Sequence, residues 1–460
     1  MAFWLCLQPS IMTCAGVPRV NWQHFGLSCP TPCDGTAKKP LRKFPVKKAI
    51  SILDSRNADY AFSMSPRKLK AGYFVLTWLN IYAVAYYFNY LFFYLRQDYG
   101  FDNRQNLLFA TLNGLVYVPA SWFGGRFAQR RGYSAALKIG FAGTTLALGL
   151  GGVFHGILAQ TIAMVVWTVA ICFTWAPLEA LASENESRTG LAQMVGVYNV
   201  VWSAGAAVAY FTGGALQQVL GHSSIYWLPA CLHAAQLVLL VWLERQKRLV
   251  SPVGSAPLPA SGETTASDFE AHHVSADTAK SFLRMAWLAN PFAYVAMNTV
   301  IPLVPDLAAR LGLTTALAGF VASVWMFARL FAFILLWRWT AWHYRFGWLV
   351  GSYVVMIASF ATLLLVPNLT VIVVAQFGFG LAVGLIYYSS LFYSMEVGQE
   401  TQGEHGGVHE ALIGVGIFLG PAVGAATSQF ARAVPHAGIW AVSALLAVGL
   451  PALFVMKRRR

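Results

Sequence analysis

The chain has 460 residues, 57% of them hydrophobic and 11% charged, with a formal net charge of +14. So few charges cannot coat a soluble globule of this length, which excludes an aqueous single-core enzyme and makes a bilayer the natural solvent. The positive excess would point to nucleic acid in a soluble domain; here its placement along the chain bears on membrane orientation instead, and no nucleic-acid partner is expected.

Residues 1–63 hold Cys6, Cys14, Cys29 and Cys33, scattered Pro and Lys, and no period long enough to name an element. Their apolar start has no basic region before it, unlike a signal peptide. Cys29 and Cys33 lack a second ligand pair, so neither a metal nor a cofactor is expected. Met64 opens a Ser-Pro-Arg-Lys-Leu-Lys run that leads straight into the first apolar stretch. The expectation is a basic cytoplasmic segment over 1–71, with 1–63 disordered or not translated.

Twelve apolar stretches follow, at about 72–95, 105–124, 135–155, 157–180, 190–218, 223–244, 284–308, 314–338, 346–366, 369–394, 407–432 and 436–456. Each has the roughly 20 residues that cross about 30 Å of hydrocarbon as a helix. They predict an all-α polytopic membrane protein with transmembrane helices in two sets of six. Between the sets, residues 246–283 are rich in Ser, Pro, Ala and Thr, as in a flexible linker. The expected domains are therefore bundles at 72–245 and 284–460. His272 and Asp277 in the linker have an acyltransferase-like spacing, but so short a polar loop cannot build an active site around them.

With the amino terminus in the cytoplasm, 27 of the 32 Lys and Arg fall on the cytoplasmic side. Arg96, Arg104, Arg310 and Arg432 fall opposite, and Arg329 lies inside the eighth stretch. An excess this large places both termini in the cytoplasm. Short loops and a compact body point to a bacterial cytoplasmic (inner) membrane and to a monomer.

The halves repeat. Trp78-Leu79 followed by Asn89 is echoed by Trp287-Leu288 followed by Asn298, and Gly205 with Val208 by Gly420 with Val423. Parallel repeats of this kind put a substrate site near the bilayer midplane, between two rocking bundles. The second break reads Gly125-Arg126-Phe127-Ala128-Gln129-Arg130-Arg131-Gly132. With twelve helices in six plus six, this run resembles the cytoplasmic signature of the major facilitator superfamily, except that Gln129 replaces the acid. The resemblance implies a fold of two pseudo-symmetric six-helix bundles, a gate-hinge role for Gly125, Arg130 and Gly132, and a central path lined by the first, fourth, seventh and tenth helices. The eighth break, Trp337 to Arg345, keeps basic character but is unusually aromatic, as an interface anchor would be. Gly416, Gly420 and Pro421 in the eleventh stretch permit close helix approach and a kink.

Charges inside a membrane are costly and mark function. Arg329 lies about 13 Å from the cytoplasmic end of its helix at 1.5 Å per residue, beyond easy snorkelling. Two readings stand: a permanent pair with Glu410, or a receptor for an anionic group of the substrate. Neutral polar stripes sketch the rest of a substrate wall: Tyr82, Tyr86 and Asn89; Asn290, Tyr294 and Asn298; Gln376 and Tyr387; with Trp175, Asn199 and Trp202. Such a mixture of amides and aromatic rings suits a sugar, nucleoside or aromatic organic solute. Glu179 and Glu410, with His409 beside the latter, are proton-coupling candidates. Glu179 or Glu184 with Arg126 or Arg130, matched by Glu396 in the other half, are gate candidates on the cytoplasmic side, and Asp306 is one on the external side.

Neither a ligand cluster nor a nucleotide loop is present in the sequence pattern, so the protein is not expected to be an enzyme. The expected function is secondary-active transport of a small organic solute by alternating access, as a permease or symporter with a proton as the candidate coupling ion. The alternatives are a drug or metabolite efflux pump of the same fold, and a non-transporting sensor or lipid flippase.

Overall fold

The computed structural model describes residues 65–184, 186, 188–250, 275–397, 402–431 and 433–458. The expectations for residues 1–63, for His272 and for most of the linker lie outside the described residues, as do the side chains of Arg188, Glu396 and Glu404. Among the described residues every regular element is helical. In chain order they are α1 (Pro66–Tyr99), α2 (Asn103–Arg131), α3 (Tyr133–Val153), α4 (Ile157–Ser183), α5 (Arg188–Leu220), α6 (Ser224–Val250), α7 (Ala276–Arg310), α8 (Thr315–Arg338), α9 (Phe346–Leu365), α10 (Leu369–Val397), α11 (Gln402–Phe430) and α12 (Ala437–Arg458).

Local chemistry sets the helix ends. Asp102 and Gln105 form a reciprocal capping box at the start of α2, with bonds of 2.7 and 2.9 Å. Ser275 and Thr314 accept from the backbone N–H three residues on, at 3.3 Å each, opening α7 and α8. Gly132, at φ 93°, closes α2 and starts α3, a backbone state that an L side chain resists. This is the tight turn that the signature run requires.

Eleven of the twelve helices are long and apolar enough to cross a membrane. α1 falls short because Asn80, Asn89 and its tyrosines dilute its apolar residues, and it buries those groups against its neighbours. α4 departs from the expected single rod, since it breaks between Ile171 and Trp175. Pro177 has no N–H for the carbonyl four residues back and its ring crowds that turn, so the ladder stops at Cys172 to Thr174.

The packing is two-fold. α1 packs on α5 and α6, and α3 on α4 and α6; the second half repeats this, with α7 on α11 and α12 and α9 on α10 and α12. The bundles meet along two seams, α2 with α11 and α5 with α8. Glycine makes the seams close: a Cβ at Gly114 would overlap the backbone of Ile417 and Phe418. Gly416 and Gly420 likewise press α11 onto the carbonyls of Pro291 and Val295 on α7.

Burial separates the central helices from the outer ones. The apolar window of α7 is 78% buried against 28% for α12. Large apolar side chains project outward from α3 (Leu146, Val153), α6 (Val238, Trp242), α9 (Val354, Val355) and α12 (Val448, Val455), as a lipid-facing belt does. The aromatic eighth break differs from a simple interface anchor. Trp342 is 2% exposed, donates to the Leu336 carbonyl at 3.2 Å and packs on Tyr388, Phe392 and Tyr393.

Candidate functional site

A cavity of about 160 Å³ lies between the bundles at the midpoints of the helices. α1, α2, α4 and α5 build one side of its wall, and α7, α8, α10 and α11 build the other. For convenience, the face holding the start of α1 and the end of α12 is called the terminal face, and the opposite one the distal face.

Arg329 dominates the wall. It is 2% exposed, its Nη1 contacts the Met297 sulfur at 3.6 Å, the Tyr294 side chain lies close by, and Nε and Nη2 have no partner among the described residues. Three rings enclose the guanidinium, with its carbon 4.6 Å from the Trp202 centroid, 4.8 Å from Tyr387 and 5.3 Å from Phe333. Trp202 and Tyr387 are themselves near parallel at 7°, with centroids 5.8 Å apart, so a stacked pair formed by a ring from α5 and a ring from α10 lies beside the cation from α8. Cation–π contact compensates part of the desolvation of such a charge and leaves its hydrogen-bonding edge free.

Glu410 is held differently from the pairing expected for it. The Tyr117 hydroxyl donates to its Oε2 at 2.6 Å across the α2–α11 seam, and no ion pair joins it to Arg329 among the described residues. Of the two readings of Arg329, the permanent pair with Glu410 is therefore corrected: a phenol on the facing helix occupies that carboxyl. Glu179 reaches the same cavity from the short second piece of α4, together with Trp175.

Asn89 and Asn298 line the cavity from α1 and α7, the two copies of the internal repeat. Asn298 Nδ2 donates to the Tyr294 carbonyl at 3.1 Å, and Asn89 Nδ2 has no partner among the described residues. Tyr294, Trp202 and Tyr387 complete the expected part of the wall.

Other expected residues point elsewhere. Tyr82 bonds Thr212 at 3.0 Å and Tyr86 bonds Ser224 at 2.6 Å, both inside the first bundle and away from the cavity wall. Asn199 donates to the Val195 carbonyl of its own helix at 3.0 Å, and Asn290 is buried with neither amide atom paired among the described residues; neither lines the cavity. Gln376 borders a separate small void within the second bundle, beside Val300 and Trp325. For Tyr82 and Tyr86 a neighbouring helix meets the face that bears the residue. His409 is buried with Nδ1 3.5 Å from the Ser390 hydroxyl, behind the wall that Glu410 reaches.

The gate candidates separate in the same way. Glu184 pairs with Lys247 at 2.8 Å inside the first bundle, since the ends of α4 and α6 meet there. Arg126 lies 4.1 Å over the Trp122 ring, and Arg130 is exposed. The expected pairing of Glu179 or Glu184 with these arginines is thus corrected: Glu184 has a nearer lysine, and Glu179 faces the cavity. Glu396 lies in α10, with its side chain outside the described residues. On the distal face Asp306 joins Arg96 of the other bundle at 3.3 Å and Arg310 at 3.1 Å. Gln97 donates to Thr315 at 3.1 Å and Asn106 to the Pro302 carbonyl at 3.3 Å, so three polar contacts cross the distal boundary.

Sequence reasoning missed Asn113, Tyr117 and Tyr198, all in the wall. Asn113 accepts from Thr168 at 2.7 Å. Asn113 and Tyr117 form an i, i+4 polar pair on α2, the signal that served on other helices.

Comparison with known proteins agrees with this architecture. The profile of the Major Facilitator Superfamily matches residues 73–289. Similar solved structures include the human organic anion transporter MFSD10 (TETRAN), at TM-score 0.60 and 14% identity, covering 85% of this chain and 100% of that one. A bacterial homologue of the human lysosomal transporter Spinster, in an inward-facing and occupied conformation, aligns at TM-score 0.61 and 14% identity, over 86% and 98% of the two chains. The nucleoside transporter NupG aligns at TM-score 0.58 and 14% identity, over 84% and 98%. No match was found among curated proteins.

Proposed function

We propose that this chain, a member of the Major Facilitator Superfamily by its profile match and its fold, is a secondary-active permease that carries a small organic solute by alternating access. The observation that supports it best is the cavity at the helix midpoints, walled by four helices of each bundle and holding polar groups without a partner among the described residues. Residues 72–245 and 284–460 are the two rocking bodies, and 246–283 joins them. Rocking about the α2–α11 and α5–α8 seams breaks the Arg96–Asp306, Gln97–Thr315 and Asn106–Pro302 contacts and opens the distal face. Closing them again reopens the terminal face.

Glu179 and Glu410 are the proposed coupling pair, one carboxyl from each bundle on the same cavity. A proton carried on either offsets the cost of moving a bare carboxylate through a water-poor state. The termini lie in the cytoplasm of a bacterial inner membrane, and the working unit is a monomer. Organic anions and nucleosides named for the similar structures fit the organic class of solute. Efflux by the same cycle is the second reading, supported by the apolar and aromatic character of the wall.

Uptake by the purified protein in proteoliposomes, with a solute panel and with or without an imposed pH gradient, tests the proposal. Gradient-stimulated flux of an organic solute is the expected result; the absence of flux for every solute in either direction overturns it.

A further inference from the structure

The Arg329 guanidinium, 2% exposed in a membrane-spanning helix, has Nε and Nη2 unpaired, and no carboxylate lies within ion-pair distance of it among the described residues. The rings of Trp202, Tyr387 and Phe333 lie beside it, with centroids 4.6, 4.8 and 5.3 Å from its carbon. The unpaired Nε and Nη2 belong to one edge of the guanidinium, whose parallel N–H groups match the two oxygens of a carboxylate. A buried cation without a counter-ion is costly, and the cost is removed when a bound anion supplies one.

The rest of the cavity limits what can carry that anion. About 160 Å³ is close to the size of an apolar cavity that takes a single benzene ring. Trp167, Trp175, Trp202 and Trp325 make the wall aromatic, while Asn89, whose Nδ2 has no partner among the described residues, offers one polar contact on the opposite bundle. Glu179 and Glu410 stand on the same wall, so a second negative charge on the ligand would meet like charge or need protons.

We propose that the cavity binds a small organic monoanion with a planar ring, its carboxylate on the nitrogen edge of Arg329 and its ring against the tryptophan wall. This inference rests on reading the cavity as the solute site.

The test uses the full chain in nanodiscs and its tryptophan fluorescence, because the wall supplies the reporters. The probes are benzoate, para-hydroxybenzoate and nicotinate, their neutral amides, and benzylamine. The carboxylates are expected to quench saturably, their amides to bind about tenfold or more weakly, and benzylamine not to bind, because the amide loses the charge-assisted fork. Arg329→Gln is expected to bring each acid and its amide within about twofold, and Arg329→Lys to retain part of the preference. Equal binding of acid and amide, preference for the amine, or no saturable binding of any carboxylate overturns the proposal, and wild-type protein alone decides this if the variants fail to insert. Proteoliposome uptake separates the two readings. Transport of a neutral solute without carboxylate binding removes the monoanion and leaves the permease, whereas carboxylate binding without flux of any solute does the reverse.

Discussion

Tyr117 on α2 donates its hydroxyl to Glu410 on α11 at 2.6 Å, a single bond that ties one bundle to the other at the wall of the central cavity. Tyr117→Phe keeps the ring and removes the bond. A hydrogen bond to a charged group is worth about 1.5–3 kcal/mol, so the variant is expected to melt lower in detergent and to lose gradient-driven uptake several-fold. Glu410→Gln keeps a polar group of the same shape. Its expected phenotype is solute exchange that persists while stimulation by a pH gradient disappears; unchanged stimulation would remove Glu410 from coupling.

Asp306 holds both Arg96 and Arg310, and the Arg96 contact crosses the distal boundary. Asp306→Asn weakens both. Each pair is partly exposed and contributes at most about 1 kcal/mol, so the expected shift toward a distal-open state is about fivefold, not complete. Maleimide labelling of Asn298→Cys from the distal side, in a background with all six native cysteines replaced, reads that shift as a faster rate.

Gly114 lies where a Cβ would overlap the backbone of Ile417 and Phe418, whereas Gly149 has nothing within 4 Å. Gly114→Val is expected to wedge the α2–α11 seam and abolish flux in protein that still inserts. Gly149→Val is expected to transport normally. Equal activity of the two variants in the same uptake assay would mean that the seam tolerates separation.

Tyr86 bonds Ser224 deep in the first bundle, and Asn89 one turn away faces the cavity. Tyr86→Phe is expected to lower stability by about 1 kcal/mol, seen as a lower Tm, with an unchanged KM for uptake. Asn89→Ala is expected to raise KM with little change in Tm. The opposite assignment would follow if the Tyr86 variant altered KM.

Lys247 and Glu184 pair inside one bundle, half in solvent. Lys247→Gln is expected to cost less than about 1 kcal/mol and to leave the rate of transport intact. A large loss of rate would restore Glu184 to the gate.

The twelve helices were legible because crossing hydrocarbon imposes a length and a composition that few soluble segments share. Arg329 was equally legible, since a lone charge deep in such a segment has few reasons to exist. The polar stripes were only half informative. A period of i, i+4 fixes which face of a helix a residue occupies, but not whether that face meets the cavity or a neighbour. Asn89 and Asn298 fell on the open side, while Tyr82 and Tyr86 met α5 and α6. Gate pairing was less legible still: Glu184 chose Lys247, distant in sequence, because the ends of α4 and α6 converge.

The interruption of α4 ahead of Pro177 has a mechanical outcome. The nine residues Trp175–Ser183 carry Trp175 and Glu179 on a short lever, jointed at Cys172 to Thr174 and braced there by Asn80, whose Nδ2 reaches Thr174 at 3.1 Å. Because Trp175 and Glu179 share that segment and both line the cavity, any change of angle at the joint would move the ring and the acid together.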